Sequence, residues 1–192
     1  MKYVKDISTH TLEVKQSKFI AWLAPYDDYK TTLQKLKNKH PKARHFVTAY
    51  RYLNEYGQIV EHSSDDGEPN GTSGKPSLMV LQGNSLINTA VIIVRYFGGT
   101  KLGTGGLVRA YSDAVNLVVG VSDLEKYSNE SLKIIEIKYS DIRFIEYGCE
   151  IFNIVILEKI FDIKSTYKIK ADEENMEKFL EKVKRVVTLL KE

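Results

Sequence analysis

Cysteine is nearly absent: Cys149 stands alone among 192 residues, which excludes an internal disulfide and any zinc site built from several cysteines. Proline is scarce and one-sided, its four copies all preceding Ser77. Apolar runs such as Ala90 to Val94 fall far short of the roughly 18 residues that span a bilayer. The opening residues, MKYVKDISTHTLEVKQS, contain no apolar segment of the kind a signal peptide carries. Neither sign of charge dominates, since 28 basic residues face 25 acidic ones for a net +3. These absences predict a cytoplasmic protein with no membrane contact. With 43% apolar and 28% charged residues, the composition excludes disorder and fibrous repeats. The length allows one large domain or two small ones and buries roughly 70% of the unfolded surface, so the core needs no metal or disulfide.

The charge is unevenly placed. Met1 to Arg51 holds 11 basic and 4 acidic residues, a local +7, whereas Tyr52 to Asn70 holds 5 acidic residues and no basic ones. A clustered basic face binds nucleic acid through its phosphates. The plainer alternative is that Lys30, Lys35, Lys37 and Lys39 form the solvated face of a surface helix.

Glycine divides the chain. Ten of the twelve glycines lie between Gly57 and Gly106, and only Gly148 follows Gly120. The polar stretch VSDLEKYSNES marks a boundary, giving domains at 1–124 and 130–192. In the first, Thr11–Val14 and Lys18–Leu23 read as paired strands, and Asp27 or Asp28 caps a helix that runs to Lys39 and stops before Pro41. His45–Leu53 and Gln58–His62 read as a hairpin, and a helix starts near Pro76. Thr89 to Phe97 has the continuous β-branched character of a strand covered on both faces. A helix then runs from Leu107 to Val119, burying Leu107, Ala110, Tyr111, Ala114 and Val118 while Arg109, Asp113 and Asn116 face away.

The second part reads β-α-β-β-α. Leu132–Tyr139 is a strand. Asp141 caps a helix with Ile142, Ile145, Cys149, Phe152 and Ile156 along one line. Lys159–Ile163 and Thr166–Ala171 pair, and Asp172 caps a final helix with Met176, Phe179, Leu180, Val183, Val187 and Leu190 on one face. This α+β pattern is ferredoxin-like without its closing strand. Cys149, at a helical core position, reads as inert packing.

Two segments stand out, SDDGEPNGTSGKP (64–76) and RYFGGTKLGTGGLVRAYSDAV (95–115). Gly98, Gly99, Gly103, Gly105 and Gly106 lie between a buried strand and a helix, where glycine permits close backbone approach and a positive φ, the latter expected at Gly105. The first N–H groups of the following helix favour an anion, and Lys101 and Arg109 can add formal charge. Arg109 is expected to pair with Asp113 one turn on and to contact the loop or its ligand. The spacing matches neither the P-loop nor the dinucleotide fingerprint, so no cofactor is implied. Asp65, Asp66 and Glu68, with Gly67, Gly71 and Gly74, lack the spacing of a calcium loop and suit turn chemistry better than a metal. His45 and His62 without nearby cysteine make a poor zinc pair, and no serine sits in a nucleophile elbow.

These segments, with Ala43, His45, Ala49 and Tyr50 in the pattern A-x-H-x-x-x-A-Y, resemble the signature of the IMPACT (YigZ-like) family over residues 15 to 120. The remainder resembles the second domain of bacterial members, Tyr167 matching a recurrent tyrosine. The resemblance implies a first domain with the α/β sandwich of elongation factor G domain IV and of the second domain of ribosomal small-subunit protein five. It implies a ferredoxin-like second domain similar to domain V of that factor. Eukaryotic members carry an additional RWD domain and act in amino-acid-starvation control of translation. No counterpart of that domain is present, so their kinase-activating scaffold partner is not carried over. Some relatives have been labelled proline dipeptidases, a chemistry for which the sequence offers no metal-ligand set.

Two functional readings result. One is a non-enzymatic regulator that binds RNA, the ribosome or a protein partner in translation control, through Lys35, Lys39, Lys42, Arg44, the glycine loop, Lys101 and Arg109. The other is an enzyme for a small phosphorylated or carboxylated substrate at Gly98–Gly106, with Asp65, Asp66 or Glu68 as base or metal ligand.

Overall fold

The elements of the computed structural model, which describes residues 1–190, fall into two units, Met1–Tyr127 and a second beginning at Ser128. In chain order the first contains β1 (Lys2–Val4), β2 (Ser8–Val14), β3 (Ser17–Pro25), a 3-10 turn (Tyr26–Asp28), α1 (Tyr29–Lys39), β4 (His45–Leu53) and β5 (Ile59–Ser64). It continues with α2 (Gly74–Gly83), β6 (Thr89–Tyr96), α3 (Gly103–Gly120) and β7 (Leu124–Lys126). The second contains β8 (Glu130–Ile137), a 3-10 turn (Tyr139–Asp141), α4 (Ile142–Ile151), β9 (Val155–Phe161), β10 (Ser165–Asp172), α5 (Glu173–Val183) and β11 (Val187–Leu190). The architecture is mixed α/β, with three sheets and five α-helices among the described residues. None of those helices is long and apolar enough to cross a membrane.

The first unit is built on an antiparallel sheet of order β2-β3-β6-β4-β5. Its alternation sends Phe19, Ala21, Leu23, Val47, Ala49, Val91 and Ile93 to one face, where Leu81 of α2 and Leu107, Tyr111, Val115 and Val118 of α3 cover them. Ile92 and Val94 point the other way, onto Leu36 of α1, with Ile20, Trp22, Leu33 and Phe46 around them. Central β6 is therefore buried on both faces, which is why its sequence is unbroken by polar residues from Ala90 to Val94. Each large side chain buried here contributes about 1.5–3 kcal/mol.

The second unit is an antiparallel sheet of order β11-β8-β10-β9 with α4 and α5 on one face. Its core gathers Ile135, Ile137, Ile145, Tyr167, Ile169, Phe179 and Val183. Cys149 lies within it, and burial pushes its thiol up to about 11.

Several expectations are corrected. The final helix ends at Val183, and Val187–Leu190 is a strand paired with β8, so the closing strand thought missing is present. Val187 packs against the same core as α5, so a strand supplies the contact that helical spacing mimicked. Likewise α4 stops at Ile151, and Ile156 belongs to β9. Helix α3 begins at Gly103, inside the glycine segment, four residues before its expected start. Asp28 and Asp141 occupy N-cap positions without making the capping bond, each with α-region backbone in place of the extended conformation a cap needs. Asp172 does cap α5, accepting from Asn175 N–H at 2.9 Å. Within the stretch expected as linker, β7 pairs with β1.

Candidate functional site

The acidic segment after β5 folds around its own carboxylates. Asp65 accepts hydrogen bonds from the backbone N–H of Gly71, Ser73 and Gly74 at 2.8, 3.0 and 2.8 Å, and from the Ser73 hydroxyl at 2.6 Å. Burial by itself would raise its pKa, but the Ser73 hydroxyl and these N–H groups outweigh it and hold the carboxyl below the ordinary value. Since Ser73 and Gly74 open α2, Asp65 does the work of a cap from eight residues upstream. Gly74 is required for that closure, because a Cβ would lie 2.8 Å from the Ser64 backbone. Asp66 reaches across to β4, its carboxylate accepting from Phe46 N–H at 2.5 Å while its carbonyl lies 2.8 Å from His45 Nδ1.

Glu68 turns inward. Its Oε1 lies 2.5 Å from Arg95 Nη1 and accepts from the Tyr111 hydroxyl at 2.8 Å. All three residues are buried, and His45 Nε2 is 4.0 Å from the same oxygen. Burial, followed by the charge of Glu68, raises the Tyr111 pKa, so the phenol stays a neutral donor. The Arg95 guanidinium stacks near the rings of Phe19 and Phe97, at 5.4 and 5.8 Å. The two segments singled out in the sequence thus meet through one carboxylate. Arg95 and Tyr111 were not read as site residues; an arginine closing an otherwise apolar strand, with acids upstream, was the available signal.

The glycine segment leaves β6 at the sheet end where β4 begins, since His45 is opposite Arg95. Gly98 passes directly over the β2–β3 turn: a Cβ would lie 2.0 Å from the Gln16 carbonyl carbon, and its N–H donates to Ser17 Oγ at 3.1 Å. Gly105 differs from expectation. It lies in the first turn of α3 without a positive φ and with open space where a Cβ would be. Leu102, the N-cap of α3, supplies no side-chain acceptor, which leaves the first N–H groups of the helix without a side-chain cap.

The cations distribute by element. Helix α1 carries Lys35 and Lys39, and its end is fixed by His40 Nδ1, 2.9 Å from Tyr96 Oη at the end of β6. Lys42 and Arg44 follow in the loop into β4, so Lys39, Lys42 and Arg44 occupy the sheet end from which Gly98 and Lys101 depart. Arg109 stands on α3, across the sheet from α1, exposed and without the expected pair with Asp113 or a bond to the loop. Among the described residues none of these six cations has a carboxylate partner, whereas Lys5, Lys18 and Arg51 do. His62 faces Tyr50 on β5, five positions along β4 from His45, so the histidines are not assembled. Among the described residues no three carboxylate, histidine or cysteine side chains gather as a metal site.

The sequence profile of the Impact N-terminal domain matches residues 15–119. An IMPACT family member of Haemophilus influenzae is 35% identical over 170 residues, covering 87% of this chain and 82% of the relative. The IMPACT family member YigZ of Escherichia coli is 42% identical over 107 residues, 54% of this chain and 52% of that protein. Among solved structures, the crystal structure of a hypothetical protein aligns with 98% of this chain and 95% of its own, at 26% identity and a TM-score of 0.64.

Proposed function

The chain belongs to the IMPACT family, and from that premise we propose that it is a non-enzymatic regulatory protein that binds RNA or the translation machinery in the cytoplasm. One observation carries the reading: Lys39, Lys42, Arg44 and Lys101 are exposed at one end of a single sheet with no carboxylate partner, beside a glycine loop that opens into an uncapped helix. Cations without carboxylate partners and bare N–H groups suit phosphate. Lys35 extends the surface along α1, and Arg109 adds a contact on the α3 side.

We take residues 1–124 as the IMPACT-like domain and 130–192 as a ferredoxin-like one, for which the antiparallel order β11-β8-β10-β9 is the support. The sheet packed by helices on both faces supports kinship of the first with elongation factor G domain IV. The link to translation comes from the family resemblance. The enzyme alternative is weakened by the engagement of its bases, since Asp65 commits both carboxylate oxygens to the protein and Asp66 and Glu68 one each.

Co-sedimentation with ribosomes over a salt series tests the proposal. Binding should fall with salt by roughly 0.7–0.9 log unit per phosphate contact for each tenfold increase. Replacing Lys39, Lys42 and Arg44 together by alanine should flatten that slope. Absence of binding at low salt, or binding indifferent to these residues, refutes it.

A further inference from the structure

A second surface lies at the opposite end of α1. Tyr26 and Tyr52 stack with ring centroids 4.1 Å apart and planes within 6°. Tyr50 lies 5.1 Å from both Tyr26 and Tyr29, and His62 stacks on its ring at 5.1 Å. The strand residues Tyr50, Tyr52 and His62 share the sheet face that α1 covers, but they lie past the start of that helix, and all four tyrosines remain half-buried. Tyr56, in the turn after β4, is 77% exposed. Burial and the neighbouring phenols push Tyr26 up to about 12, so its ring remains uncharged.

A core does not need this arrangement. Five aromatic rings gather at the open end of a sheet, stacked on one another yet with the tyrosines only half-buried and His62 exposed, where aliphatic side chains would pack as well. From this cluster runs α1, eleven residues or about 16 Å long. The helix carries Lys30, Lys35, Lys37 and Lys39 and no acid. It ends at the Lys39–Lys42–Arg44 cluster, and its lysines take two flanks, Lys37 over Phe46 of β4 at 6.0 Å and Lys39 over Trp22 of β3 at 5.1 Å. Lys37 and Lys30, two turns apart, thus carry charge on from the tyrosines of β4. Asp27 and Asp28 flank the aromatic end, which directs phosphates toward the lysine side.

We propose that Tyr26, Tyr29, Tyr50 and Tyr52 are a stacking platform for the unpaired bases of a single-stranded RNA whose phosphates follow the lysines of α1. This deepens the RNA-binding reading above and rests on it. Stacking on aromatic rings tolerates any base, because every base has a π-face, and it discriminates single strands from duplexes, whose bases are already stacked.

The test uses the full chain and a fluorescein-labelled twelve-nucleotide oligouridine, read by anisotropy beside a duplex of equal length and a proline-rich peptide. The single strand should bind more tightly than the duplex. Tyr52→Leu and Tyr50→Leu should each weaken it about tenfold or more, Tyr52→Phe should bind like the parent, and Lys37→Ala should lower the salt slope. Thermal melts confirm that each variant folds, and two leucine variants guard against loss of one. The platform is overturned if the leucine variants bind like the parent, if the duplex wins, or if the peptide binds and the oligouridine does not. Ribosome co-sedimentation separates the two readings. If it persists unchanged in the leucine variants, the platform fails alone; if the parent binds neither ribosome nor oligouridine, both fail.

Discussion

Glu68 and Arg95, 27 residues apart in sequence, meet at 2.5 Å with side chains only 3% and 7% exposed. Such a pair is stabilising only relative to breaking it, because either charge left alone would be buried without a partner. It fastens the acidic loop to the sheet, and the Tyr111 hydroxyl extends the attachment to α3.

Glu68→Gln should therefore cost about 3–5 kcal/mol in denaturant unfolding, the penalty for a lone buried guanidinium. Tyr111→Phe should cost less, about 1.5–3 kcal/mol, one hydrogen bond to a charged group that keeps its other partner. Equal losses for the two would mean that the charge pair is not the fastening.

Asp65 predicts an acid limit to stability. Its folded pKa is depressed below the model-peptide value of 3.8, so its contribution is present above that value and disappears as pH falls through the folded one. Asp65→Asn should lower the thermal midpoint at neutral pH and converge with the parent in acid, once the pH is below the folded value and both carry a neutral side chain. A constant gap at all pH values would show that the bonds, and not the charge, matter.

The two ends of the glycine segment should respond oppositely to a methyl group. Gly98→Ala drives a Cβ into the Gln16 backbone and should cost about 3 kcal/mol or more. Gly105→Ala, in a helical turn with open space, should stabilise by about 0.5–1 kcal/mol. If it also weakens ribosome binding, Gly105 serves a ligand's approach and not the fold. A stabilised variant with full binding would remove Gly105 from the proposed surface.

Arg109→Ala should leave the unfolding free energy within about 0.5 kcal/mol, since the exposed guanidinium has no ion pair. Its effect should appear in ribosome co-sedimentation. A clear stability loss with intact binding would reassign Arg109 to a structural role.

Periodicity made the layers legible. The β-branched run of β6 and the stripe Leu107, Ala110, Tyr111, Ala114 and Val118 of α3 both report burial directly. The start of α3 was hidden because glycine is a poor helix former and reads as loop even in a first turn. Val183, Val187 and Leu190 keep a helical spacing across the turn at 184–186 between α5 and β11, so pattern alone extended the helix. The Glu68–Arg95 pair was illegible for a different reason: it depends on the β4–β6 register, which brings Arg95 opposite His45. No local spacing encodes that. The tyrosine cluster draws on three separate segments for the same reason.

The short ribbon of Lys2–Val4 against Leu124–Lys126 makes the first unit enter and leave at one spot. A module whose ends are clasped together behaves like a bead with a single attachment point. It can be spliced beside, or inserted within, unrelated sequence without threading its host through its own sheet. Tyr3, whose hydroxyl donates to Glu125 at 2.5 Å, locks that clasp with a bond between the two ends.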